Sequence, residues 1–254
     1  MSVERDEAAN NPKERGRRAI FFLIKVFTDG AHADAFLDGK LWCNRLSYFK
    51  GIDDPRGQTR ADPFEGVVTW RQPGGVKLTV TINDTTSFDI NQLAAPFQVE
   101  ATGLNDLHLF CLYAAHSDHL VDVVKDGNDV IGGSLRVPMD LSKFGEQVVL
   151  VQAGPFIDRV AATIKGNRHW GTAGLVEYYD PETFSGEFTP KEALLRKRKE
   201  FDFQSEYRFA FNAETTGTKP HTLQVGSLRD IAWRLTGGDL RGGITLNLTQ
   251  KAPA

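Results

Sequence analysis

Toward the C-terminal end of the chain, Gln204-Ser205-Glu206-Tyr207-Arg208 sets an amide, a carboxylate and a guanidinium at every second position. Side chains alternate across a strand. In a strand over residues 201–212, Gln204, Glu206 and Arg208 therefore share one face, and Phe203, Ser205, Tyr207, Phe209 and Phe211 share the other. A polar face over an apolar one is ordinary for a half-buried strand. The same spacing also has a chemical use. On a rigid support, Gln204 and Glu206 project into one pocket. There a carboxylate can hydrogen-bond a ribose hydroxyl and stabilise positive charge developing at the anomeric carbon, while an amide, both donor and acceptor, orients a nucleophile. Those are the requirements for cleaving a glycosidic bond.

Other groups with chemical potential lie further upstream. Residues 51–66 form a long loop rich in Asp, Pro, Gly and Arg, and long loops inside compact domains tend to be functional. Asp53, Asp54, Asp62 and Glu65 in or beside it have the chemistry to hold Mg²⁺ or a substrate, and Arg56 and Arg60 to neutralise phosphates. The plainer alternative is a solvated loop with Asp62-Pro63 starting a turn and Glu65 in a salt bridge. Phe64, an aromatic in so polar a loop, must pack on core or on a ligand ring. His116 and His119 have helical spacing but no third metal ligand in pattern. Cys111, inside an apolar run, reads as a small buried hydrophobe. Lys191, Arg196, Lys197, Arg198 and Lys199 read as a basic helix over residues 190–200, either a solvated face or a contact for a phosphate backbone.

These groups belong to a chain of 254 residues with net charge −3 and 41% hydrophobic residues, the balance of an ordinary globular protein. That near-neutral total argues against a chain devoted to coating nucleic acid. No run approaches the ~20 apolar residues of a membrane helix. Cys43 and Cys111 are too few for a disulfide framework. With no signal-peptide core near the start, the expected location is the cytoplasm.

The elements that must position the candidates follow from periodicity. Residues 1–18 lack apolar periodicity and read as a disordered tail, with a single domain over residues 19–250. Residues 20–27 look like a buried strand carrying one basic residue, Lys25. A helix with Ala33, Phe36 and Leu37 inward ends at Gly39, and residues 41–49 return to strand. Strands are expected at 67–70, 76–82, 97–100, 107–113, 148–152, 175–179 and 244–248, and helices from 156 to 166 and within 223–235. The resulting expectation is an α+β domain with an antiparallel or mixed (split) β-sheet and a few short helices.

The order of strand, short helix, glycine and Leu41-Trp42-Cys43-Asn44-Arg45-Leu46 resembles the opening of ADP-ribosyltransferases that modify nucleic acids or small molecules. There a strand end supplies His or Arg to hold NAD, and the matching position here is Lys25. A closer resemblance, over roughly residues 22–235, is to an uncharacterised bacterial family of unknown function frequent in mobile and defence-related gene sets. It is carried by Asp62-Pro63-Phe64-Glu65, by Leu109-Phe110-Cys111-Leu112-Tyr113-Ala114, and by Lys199 followed by Gln204-Ser205-Glu206-Tyr207-Arg208. Together these imply an ADP-ribosyltransferase-like fold and an NAD-consuming toxin or phage-defence effector. Glu206 would be the catalytic carboxylate, and Gln204 would position the acceptor. Lys25, Ser47, Tyr48, Phe64, Glu65 and Arg208 would bind NAD, with Tyr48 stacking on nicotinamide. NAD is then a substrate and no metal is needed, while the acceptor stays open among a protein side chain, a nucleobase, an RNA end and water. A non-catalytic sensor binding a nucleotide or partner, and a metal-dependent phosphodiesterase built on Asp62, Glu65 and Glu206, are the competing readings.

Overall fold

A computed structural model of the chain describes residues 18–51, 61–127, 129–137 and 144–248. Residues 1–17 of the tail and Asp53, Asp54, Arg56 and Arg60 lie outside the described residues. In chain order the elements are β1 (Ile20–Phe27), α1 (Gly30–Leu37), β2 (Lys40–Arg45), α2 (Leu46–Lys50), β3 (Val67–Arg71), β4 (Leu78–Ile82), β5 (Thr86–Ile90), β6 (Phe97–Glu100), β7 (His108–His116), β8 (Leu120–Asp126) and β9 (Asp129–Leu135). There follow β10 (Gln147–Gln152), α3 (Ala153–Gly166), β11 (Trp170–Leu175), β12 (Glu177–Tyr179), β13 (Gly186–Glu187), α4 (Pro190–Ala193), β14 (Arg196–Arg198), β15 (Glu206–Asn212), β16 (His221–Gln224), β17 (Ala232–Thr236) and β18 (Ile244–Asn247). The architecture is α+β.

The main sheet runs β11-β15-β7-β1-β10-β17, with β2 branching from β7 and β16 pairing on β2. Every pairing within it is antiparallel. Alternation along the strands divides the core into two layers. Leu23, Phe110, Leu112, Val149, Phe209 and Phe211 pack under Phe36 of α1 and Phe156 of α3. The opposite face is covered in two patches. Ile24, Tyr113, Val148 and Leu150 meet Leu135 and the β18 side chains Ile244 and Leu246. Leu109 and Ala210 meet Leu46, Leu104, Leu107, Ala193 and Leu194.

The opening follows its sequence pattern closely. Asp29 caps α1 through its carboxylate, which accepts from Ala31 N–H at 2.7 Å. Gly39 ends the helix with φ +84°, and a Cβ there would lie 1.9 Å from the Gly226 carbonyl oxygen. Gly39→Ala is therefore expected to lose at least about 2 kcal/mol by chemical denaturation, because both the left-handed backbone and the close chain crossing oppose a side chain.

Several expectations need correction. The strand expected over 41–49 stops at Arg45, where Leu46 N–H turns to the Leu107 carbonyl (2.8 Å) and α2 begins. The basic run is not one helix. Helix α4 spans only Pro190–Ala193, and Arg196–Arg198 is a short strand parallel to β12. Strand β15 starts at Glu206, because Lys199–Gln204 is a 3-10 helix closed by Ser205 at φ +37°. No helix forms within 223–235; β16 and β17 occupy that region, with β17 on the edge beside β10. The hairpin partner β5, which the sequence reading missed, is turned by Asn83 and Asp84, both at positive φ. Among the described residues no helix is long and apolar enough to cross a membrane.

Candidate active site

Strand β15 reads as expected from Glu206 onward, but both its faces are buried. Tyr207, Phe209 and Phe211 enter the helix-covered layer, while Glu206 and Arg208, 5% and 1% exposed, point to the other side. Opposite them stand Glu65 and Lys197, also almost wholly enclosed. Arg208 grips Glu65 with both terminal nitrogens (2.8 and 2.9 Å), Glu206 Oε1 with Nε (2.7 Å), and the Leu194 carbonyl (2.9 Å). Lys197 Nζ donates to Glu206 Oε2 (2.9 Å) and Gln204 Oε1 (2.8 Å) and lies 3.2 Å from Glu65 Oε1. Two acids and two cations thus form a neutral buried network.

Local chain geometry delivers each member. Asp62 Oδ1 accepts from Phe64 N–H (2.9 Å), Glu65 N–H reaches the Asp62 carbonyl (3.2 Å), and Gly66 follows at φ +75°. This turn drives Glu65 inward. Pairing of β14 with β12 sets Lys197 beside Tyr178, whose hydroxyl accepts from Glu206 N–H at 2.9 Å. Alternation then sends Arg196 to an ion pair with Glu177, and Arg198 to Asp62 (3.3 Å) and Glu200 (2.7 Å). Ser205 turns the chain so that Gln204, off the strand, still reaches the ammonium that Glu206 holds. Its hydroxyl anchors this turn on the Ala114 carbonyl (3.0 Å).

The electrostatics favour the charged forms. Burial opposes ionisation of Glu206, but Arg208 and then Lys197 outweigh it and hold the carboxyl well below its usual range. Burial likewise opposes the charge on Lys197, and Glu206 and Glu65 raise its pKa above that of a free lysine. Burial and the Glu206 charge push the Cys111 thiol up to about 12, so it stays protonated and can donate to that carboxylate. Asp62 is raised by burial and by Glu65, and its Oδ2 has no partner.

The structure gathers Glu206, Gln204, Glu65 and Arg208, and places Phe64 at the margin. The Phe64 ring packs edge-on against Trp70 (5.5 Å) and under the Arg198 guanidinium (4.3 Å). Lys25 is not brought to the group. It pairs opposite Val149 and its ammonium lies over Phe110, on the helix-covered face, donating to the Cys111 carbonyl at 2.7 Å. Lys25 and Glu206 therefore project from opposite faces of one sheet, and the expected shared cleft does not form. Ser47 and Tyr48 are exposed on α2; no hydrogen bond or ring contact ties them to Glu206 among the described residues.

Sequence reasoning named Lys197 only within the basic run, without a link to Glu206, and passed over Tyr178. The one available signal for Lys197 was its place in the unbroken basic run Arg196-Lys197-Arg198-Lys199, which fits no helical stripe. Among the described residues no group of three or more His, Cys, Asp or Glu side chains is arranged to hold a metal ion. Comparison of the chain with protein-family models, with curated proteins and with solved structures finds no match.

Proposed function

We propose that the protein is an NAD-consuming, ADP-ribosyltransferase-like enzyme with Glu206 as its catalytic carboxylate. One observation carries this reading: a single positive centre, the Lys197 ammonium, is held jointly by Glu206, Gln204 and Glu65. A spot that binds an ammonium through two carboxylates and an amide also suits the cationic ribosyl group formed as nicotinamide departs. In this mechanism Lys197 withdraws and the sugar takes its place. Arg208 keeps Glu206 ionised and aimed, Glu206 stabilises the developing cation, and Gln204 orients the acceptor. Phe64 and Glu65 belong to the segment bordering the site. Lys25, on the opposite face, takes no part.

A second reading is a nucleotide-binding sensor without turnover. It is favoured by the engagement of both Glu206 oxygens by Arg208 and Lys197. Labelled NAD incubated with the full chain, with and without EDTA, separates the two. The enzyme reading expects nicotinamide release that survives chelation and falls at least about a hundredfold in Glu206→Gln, assayed below that variant's own melting transition, which loss of the buried charge lowers. Saturable nucleotide binding without release would establish the sensor. Release abolished by EDTA would instead indicate metal-dependent chemistry.

A further inference from the structure

A second cluster lies on the helix-covered face. Arg45 stands opposite His108 across the β2–β7 pairing, and His108 opposite Phe211 across β7–β15. His221 enters from β16 opposite Cys43, and His169 follows the last turn of α3, its N–H on the Ile164 carbonyl at 3.0 Å. The His108 and His169 rings stack on Phe211 at 5.6 and 5.9 Å. His221 lies 5.5 Å from His108 and 5.9 Å from His169. Five elements therefore converge on one basic, aromatic corner of the core.

Its charges are not balanced as those around Glu206 are. Arg45 is 2% exposed, yet its terminal nitrogens meet only neutral oxygens: the Asp106 carbonyl (2.5 Å) and the Thr215 carbonyl and hydroxyl (2.7 and 3.0 Å). Its Nε has no partner. The carboxylate beside it, Asp106, is 3.8 Å away and largely solvent-exposed. His108 is fully buried, and neither ring nitrogen makes an aligned hydrogen bond, although the Lys219 backbone lies near enough to favour its protonated form. A buried guanidinium whose paired carboxylate is distant and solvent-exposed is poorly compensated, and unsatisfied buried donors add to the cost.

We propose that this corner binds a phosphate group. Arg45 Nε–H and one N–H of His108 would form the inner donors, with His169 and His221 the outer ones. Each neutral imidazole supplies one donor, so the site needs no prior protonation, and a bound dianion then favours the imidazolium form. A ligand would approach on the side of His169 and His221, which are half-buried, next to the exposed residues 214–219, of which Thr215 bonds Arg45. The beside-lying cation Arg45 disfavours a metal ion at the same place. Phe211 and Glu206 project from opposite faces of β15, so the proposal stands apart from the NAD reading.

The test follows the imidazole nitrogens of all six histidines by NMR in the full chain, in phosphate-free buffer at neutral pH. Inorganic phosphate, AMP and acetate are titrated separately. The expected result is a saturable shift at His108, His169 and His221 with phosphate, while His32, His116 and His119 stay still. A tighter response to AMP assigns the site to phosphate esters; a response to inorganic phosphate alone assigns it to the free ion. His221→Asn, at a half-buried position, should weaken binding roughly tenfold, and Arg45→Met should abolish it if it folds. No saturable shift, an equal response to acetate, or unchanged binding in His221→Asn would overturn the proposal.

Discussion

Arg208→Met is expected to destabilise the protein by about 3–5 kcal/mol, the usual cost of removing one partner from a buried ion pair. With Arg208 present, Glu65, Glu206, Lys197 and Arg208 sum to zero charge, and each carboxylate oxygen of the pair has a cationic donor. Without it, two buried carboxylates share one ammonium. Both oxygens of Glu65 lose their guanidinium contacts, and no water can replace them at 1% exposure. Adding Glu65→Gln restores neutrality around the Glu206–Lys197 pair. The double variant Arg208→Met/Glu65→Gln should therefore recover at least about 1 kcal/mol of the loss. Urea denaturation of the four proteins in the cycle gives both numbers. Equal stability of Arg208→Met and the parent would show that the network is open to solvent.

Lowering the pH from about 6.5 to about 4 should destabilise the native state more steeply than its carboxylates alone explain. His108 and His116 are both pushed down to about 4, first by burial, then by Arg45 for His108 and by His119 for His116. His119 and His221 are lowered in the same direction, again chiefly by burial. A depressed native pKa means that the unfolded chain binds the proton more readily. The stabilisation is complete above the ordinary histidine range and is lost as the pH falls toward the native value. Each such proton contributes a slope of about 1.4 kcal/mol per pH unit within that window. Asp62, raised by burial and by Glu65, acts in the opposite sense but is a single group against four imidazoles. Denaturation at stepped pH in phosphate-free buffer measures the slope, and His108→Phe should reduce it by about one proton's share. A flat profile between those limits would mean the imidazoles are solvated.

Residue pattern reached the elements where one physical demand dominates. Residues 20–27 and 107–113 are apolar on both faces, which only a strand buried on both sides tolerates, and they became β1 and β7. Ala33, Phe36 and Leu37 at helical spacing, between Asp29 and Gly39, specified α1 with its cap and its stop. Pattern failed where local preference was weak. Residues 190–200 read as a basic helix and residues 201–212 as a long strand, yet Arg196 to Glu200 is an unbroken run of charges with no apolar periodicity to fix where either element ends. Pairing with Glu177–Tyr179 and the left-handed Ser205 decided otherwise.

For the candidate site, the order Gln204, Glu206, Arg208 and the turn at Asp62-Pro63-Phe64-Glu65 were visible in the chain, because side-chain alternation and turn chemistry are local properties. That Glu65 reaches Arg208 across 143 residues of sequence, and that Lys197 is the ammonium between the two acids, depended on strand pairing between distant segments. The side of the sheet to which Lys25 and Glu206 are assigned is likewise a matter of register. One position of slip reverses a strand's faces, and only the packing of β1 against β7 and β10 sets that register.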